Sequence, residues 1–171
     1  MEPTGILTVI FWLCMFMVTK VGFIGMAILI QHRMPEFIER ASVHYRPKRR
    51  WWLALVGFMN AVAIPFISIL LISRGALALP GILLLLVYLW LALLSYTVVY
   101  REIGSILFED LGSNREVKIT LFGGMIAEAA FFTPILGQLF SILLFTRSLG
   151  AVMMTILSRK PKDEPEDSVD P

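Results

Sequence analysis

The scarcest chemistry in this chain is one cysteine, Cys14, and two histidines, His32 and His44. A lone thiol cannot form an intramolecular disulfide and supplies no Cys-x-x-Cys spacing for a metal. Standing inside an apolar run, Cys14 reads as a small core residue. The histidines fall in a basic, proline-bearing loop, with no cysteine or aspartate spacing to complete a coordination set; they read as solvated, and no metal is expected. Neither a Gly-x-Ser-x-Gly elbow, a His-Glu-x-x-His pair nor a phosphate-cradling glycine loop occurs. The chain is therefore not expected to be an enzyme or to carry a cofactor. A lipid-processing enzyme is the remotest alternative, resting on Glu109-Asp110, an acidic pair that reads first as the wet side of an amphipathic segment.

Charge is scarce as well. Asp, Glu, Lys and Arg make up 16 % of the residues and hydrophobic side chains 57 %, against roughly 25 % and 45 to 50 % in soluble domains. This composition predicts an all-α integral membrane protein. The start, Met-Glu-Pro-Thr, lacks a basic segment and a small-residue cleavage pattern, so the first apolar run is expected to persist as a helix.

Four apolar runs carry the architecture: Gly5 to Ile30, Trp51 to Ser73, Leu77 to Tyr100 and Ile119 to Leu157. Each of the first three meets the length of about 20 residues that a spanning helix needs. The fourth, about 39 residues, would run roughly 58 Å as one straight helix, against a hydrocarbon core of about 30 Å. It must bend. The break is expected at Pro134-Ile135-Leu136-Gly137, where proline removes a backbone donor and glycine relieves the turn. The predicted helices are 5–30, 51–73, 77–100, 119–133 and 138–157, a single domain over 1–157. They give five crossings, or four plus a re-entrant hairpin, because 119–133 reaches only about 22 Å. Residues 158–171, rich in proline and acid, are expected to be disordered.

Basic residues then set orientation. All of the 15 Lys and Arg except Lys20, Arg74 and Arg147 fall in the first loop, the third loop or the tail, and cytoplasmic segments retain such charge. The N-terminus is expected outside and the C-terminus in the cytoplasm, in a multi-pass protein of the cell or inner membrane. Trp51, Trp52 and Tyr100 read as aromatics at the cytoplasmic interface. In the first loop, Pro35 and Pro47 are expected to limit regular structure, and the basic cluster with Phe37, Ile38 and Tyr45 to meet anionic lipid headgroups. Nucleic acid is not expected. In 101–118, Ile103, Ile106, Leu107, Phe108 and Leu111 share a helical face away from Glu102, predicting a short helix on the membrane surface.

The strongest functional clue is a set of polar residues at one depth. Lys20, Asn60, Glu128 and Arg147 each stand nine or ten residues from the expected cytoplasmic boundary, roughly 14 to 15 Å deep. Charges at the bilayer centre face the bundle interior and pair. Glu128 has two candidate cations, Lys20 and Arg147, with Asn60 able to bond either sign. The surplus cation, together with the Gly57-x-x-x-Ala61 and Gly123-x-x-x-Ala127 faces that permit close helix approach, predicts a non-catalytic subunit or scaffold. Its partners would be other membrane subunits or further copies of itself. The alternative is a channel or transporter component for protons, ions or an anionic solute, using the same charges and backbone broken at Pro65 and Pro134.

Overall fold

A computed structural model describes residues 3–45, 50–108 and 115–158, within which lie six helices. They are α1 (Pro3–Arg33), α2 (Pro35–Tyr45), α3 (Arg50–Ser73), α4 (Ala78–Leu107), α5 (Arg115–Phe131) and α6 (Leu136–Leu157). Among the described residues, four helical stretches are long and apolar enough to cross a membrane: Ile10–Arg33, Trp51–Ser73, Ala78–Leu107 and Leu136–Leu157. The fifth apolar arm, α5, has 17 residues and opens on charged Arg115 and Glu116. Large apolar side chains cover the outside of the bundle, among them Leu7, Trp12, Val18, Phe66, Leu79 and Leu139. In water such a surface would drive aggregation; in hydrocarbon it is the expected exterior, so the all-helical fold with its four long apolar helices is compatible with a helical membrane bundle.

At the centre stands α4, which packs against each of the other five helices. Its buried face includes Leu91, Leu94, Ser95, Val98, Tyr100 and Gly104. Close approach on both flanks depends on glycine. A Cβ on Gly123 of α5 would collide with the Tyr100 carbonyl oxygen, and one on Gly104 of α4 with the Ile119 carbonyl. On the other flank, Gly57 of α3 lies against the Thr146 carbonyl of α6, and Gly150 of α6 against that of Leu53. Backbones this near gain dispersion contacts that larger side chains would forbid, the main source of helix association where no water is displaced. These pairings run antiparallel. They bring the C-terminal ends of α1, α4 and α6, the starts of α3 and α5, and α2 to one end of the bundle, with Arg33, Arg40, Arg101, Arg115 and Lys118; Arg74 is at the other.

Several sequence expectations are corrected. The first loop does not lack regular structure, since α2 occupies Pro35–Tyr45. Proline is well suited to the first position of a helix, where its missing N–H has no partner to lose, and Ile38 N–H donates to the Met34 carbonyl at 3.1 Å. Ile38, Ala41, Ser42 and Tyr45 are its buried residues, the i, i+3, i+4, i+7 stripe of an amphipathic helix. The segment from Arg101 is no separate surface helix either. It continues α4 for two turns to Leu107, with Gly104 packed on α5. Ile106 and Leu107 are exposed and Phe108 stacks on Phe122 with ring centroids 5.3 Å apart. Leu111, Glu109, Asp110, Pro47 and the tail 159–171 lie outside the described residues. Pro65 breaks nothing: α3 runs through it from Arg50 to Ser73.

The break between α5 and α6 falls at Pro134, as the sequence suggests, but the reversal is made by Ile135. Its φ of 64° and ψ of −68°, with Leu136 N–H donating to the Pro134 carbonyl at 2.8 Å, define a three-residue γ-turn with positive φ. Gly137 is already inside α6. It is needed for approach, since a Cβ there would strike the Ala130 carbonyl oxygen.

Candidate functional site

Of the four polar residues read as one layer, two meet. Lys20 Nζ of α1 lies 2.7 Å from Glu128 Oε2 of α5. The register that aligns Ile24 with Gly124 brings them together one turn further along. The contact is ionic rather than a well-aligned hydrogen bond, so the buried Oε2 receives no directional donor. The other carboxylate oxygen accepts from the Tyr100 hydroxyl of α4. Three helices are thus tied by one acid. The Lys20 ammonium also lies 5.3 Å from the centre of the Phe16 ring, where the negative ring face favours a cation.

Exposure divides the pair unequally. The Glu128 side chain is 10 % exposed and that of Lys20 28 %. Lys20 faces a groove of about 410 Å³ between α1 and α5, walled by Phe16, Met17, Met125 and Phe132 with the ion pair at its floor. The groove opens to the outside of the bundle.

Arg147, the other candidate cation for Glu128, does not join this acid, which corrects the expectation of one shared polar layer. Its Nη2 donates to the Tyr45 carbonyl at 2.5 Å, and its guanidinium stands 4.3 Å over the Tyr45 ring centre. Tyr45 ends α2, whose last carbonyls have no intrahelical donor and carry partial negative charge. Arg147 therefore caps α2 and holds it against α6. Asn60 is separate again, its Nδ2 donating to the Val56 carbonyl of its own helix at 2.8 Å. The reason is packing: α3 lies on α4 and α6, whereas Glu128 sits on α5 beside α1.

The glycine faces are likewise engaged within the chain rather than held open for a partner. Gly57 packs on α6 and Gly123 on α4; Ala61 is half-buried and Ala127 buried. Tyr100, read as an interfacial aromatic, is completely buried, while Trp51 and Trp52 are exposed at the start of α3. Sequence reasoning missed Tyr100, Tyr45, Gly104 and Gly150 as site or packing residues. Tyr100 directly precedes Arg101 and its backbone faces Gly123 in the antiparallel pair; only the length of its side chain carries the hydroxyl to Glu128, so no residue count along the sequence singled it out.

At the basic end a second network ties α1, α2, α4 and α5. Gln31, buried on α1, donates to Glu116 Oε2 at 3.3 Å. The same carboxylate lies 3.6 Å from Arg101, and Arg101 donates to Ser42 Oγ at 3.3 Å. Compared with known protein families, curated proteins and solved structures, the chain matches none of them. Its function has to be read from this chemistry.

Proposed function

We propose that the protein is a non-catalytic subunit of a larger membrane assembly, crossing the bilayer with its basic end in the cytoplasm and docking a partner over the α1/α5 groove. The observation that supports this is the position of Lys20. It stands at the middle of the span Ile10–Arg33 and is paired with Glu128, yet keeps 28 % exposure on the outer wall of the bundle. A charge facing hydrocarbon at that depth costs about 2.5 to 3.5 kcal/mol on insertion scales. A partner helix laid in the groove would remove that contact with lipid and supply acceptors for the remaining ammonium protons. On the other face of the fold, Arg147 is fixed to α2, and so acts as internal architecture.

Purification under mild solubilisation, with mass spectrometry of what remains bound, tests the reading. Lys20→Met and Met17→Trp, which fills the groove, are expected to release a partner that wild type retains. If both variants keep the same partners, docking over this groove is refuted; if Glu128→Gln abolishes an ion or proton flux while the assembly stays intact, the non-catalytic subunit role gives way to a transport component.

A further inference from the structure

A different site lies at the basic end of the bundle. Where α2, α4 and α5 meet, a cavity of about 310 Å³ is lined by Glu39, Ser42, Arg101, Glu102, Arg115 and Glu116. Val43 and Ile119 complete its wall, so charged and apolar surface stand side by side. Such a combination matches the boundary between headgroups and hydrocarbon, where this end of a spanning bundle is placed.

The decisive group is Arg101. Its side chain is only 17 % exposed, but the contacts that hold it are loose: 3.6 Å to Glu116 Oε1 and 3.3 Å to Ser42 Oγ. A guanidinium has five donors in a rigid fork, and close ion contacts to oxyanions run at about 2.7 to 2.9 Å. Arg101 is therefore buried beside a cavity with its strongest recognition geometry unfilled. Arg115, an exposed residue on the same wall, adds a second guanidinium. The hydroxyls of Ser42 and Ser105 stand within the same lining but already donate to the Glu39 and Glu102 carbonyls, so the donors left for a ligand are the guanidinium groups. This is the chemistry of a phosphate site.

Phosphate alone does not account for the rest. Three carboxylates line the cavity beside two guanidinium groups; Glu116 lies beside Arg101 and Glu102 has an interaction of its own, so the carboxylate left to face a ligand is Glu39. Glu39, exposed at the rim, is in no ion pair among the described residues. A ligand carrying a phosphate and, a short distance away, a primary ammonium satisfies both halves. We propose that this cavity binds the headgroup of an amine-bearing phospholipid, its phosphate held by Arg101 and Arg115 and its ammonium by Glu39. The apolar edge at Val43 and Ile119 leaves the acyl chains directed along the bundle. A choline headgroup has no N–H to donate to Glu39, and a glycerol headgroup has no cation. The site therefore discriminates among lipids of similar size. It rests on the membrane-spanning reading but not on the presence of a partner subunit, because the groove at Lys20 lies on α1 and α5 at a different depth.

Native mass spectrometry of the full-length chain in mild detergent, offered equal amounts of phosphatidylethanolamine, phosphatidylglycerol and phosphatidylcholine with matched acyl chains, tests the proposal. Wild type is expected to retain phosphatidylethanolamine about tenfold over either competitor, the ratio one charge-assisted contact provides. Arg101→Gln and Arg115→Gln should each lower that retention by about tenfold. Arg115 is exposed, so its variant folds even if the Arg101 variant does not. Glu39→Gln should erase the preference over phosphatidylglycerol while leaving phospholipid bound. Equal retention of the three lipids, or full retention in both arginine variants, would overturn the proposal. So would displacement of the lipid by inorganic phosphate, which would make the site one for the free anion.

Discussion

Replacing Lys20 with methionine keeps most of the stem against Phe16 and removes only the ammonium. Glu128, with its side chain 10 % exposed, would then hold its charge against the Tyr100 hydroxyl alone. Removing one member of a buried ion pair costs about 3 to 5 kcal/mol, because the other is left uncompensated. The partial exposure of Lys20 places this case at about 3 kcal/mol, at the lower end of that range. Glu128→Gln should cost less, about 2 kcal/mol, since the freed ammonium can turn into the groove and a carboxamide still accepts from Tyr100. The double variant Lys20→Met/Glu128→Gln leaves no charge and should lose only about 1 to 2 kcal/mol. Its shortfall from the sum of the single losses, about 3 kcal/mol or more, far exceeds the roughly 0.6 kcal/mol average of hydrogen bonds between membrane helices. Unfolding free energies in mixed micelles of mild and denaturing detergent measure all three. Additivity within about 0.5 kcal/mol would show that the pair is not coupled and that the clamp between α1 and α5 does not exist.

Glycine at the helix crossings gives a contrast within one protein. Gly123→Val is expected to lose about 3 kcal/mol in the same micelle assay, because its Cβ meets the Tyr100 carbonyl, while Gly22→Val, with open space around it, stays within about 0.5 kcal/mol. Ile135→Gly should raise stability by about 1 kcal/mol, read as a higher melting temperature, because a β-branched residue no longer occupies positive φ. In a Cys14→Ser background, cysteines placed at Arg74 and Ser158 should react with an impermeant thiol reagent from opposite sides of the membrane; labelling from one side would refute the placement of α3 and α6.

Much of the architecture was legible because hydrocarbon imposes a simple rule. A helix satisfies its backbone internally, so runs of about 20 apolar residues announce spans without reference to the rest of the fold. The runs at Trp51–Ser73 and Leu136–Leu157, and the break at Pro134, needed only that rule. The same rule implied that Glu128 needs a cation, but not which of Lys20 and Arg147 supplies it. Depth along a helix follows from residue count, and a lone charge at the middle of the bilayer is costly.

What depth could not supply was direction. Lys20, Asn60, Glu128 and Arg147 stand at similar distances along their helices, yet rotation and neighbours separate them. Glu128 on α5 faces α1, Arg147 on α6 faces the end of α2, and Asn60 closes on its own backbone. Which helices adjoin is set by close approach at Gly104 and Gly123 between α4 and α5 and at Gly57 and Gly150 between α3 and α6. Those contacts join residues far apart in the chain. The role of Pro35 was hidden for a related reason: whether a proline ends a helix or begins one depends on what the following stripe can pack against, and Ile38, Ala41 and Tyr45 find their surface only once α4 and α6 are assembled. Sequence alone determined which runs are long and apolar enough to span a membrane, since that follows from local composition. Tertiary packing alone decided which charges meet, because that depends on which faces of the helices small residues allow to touch.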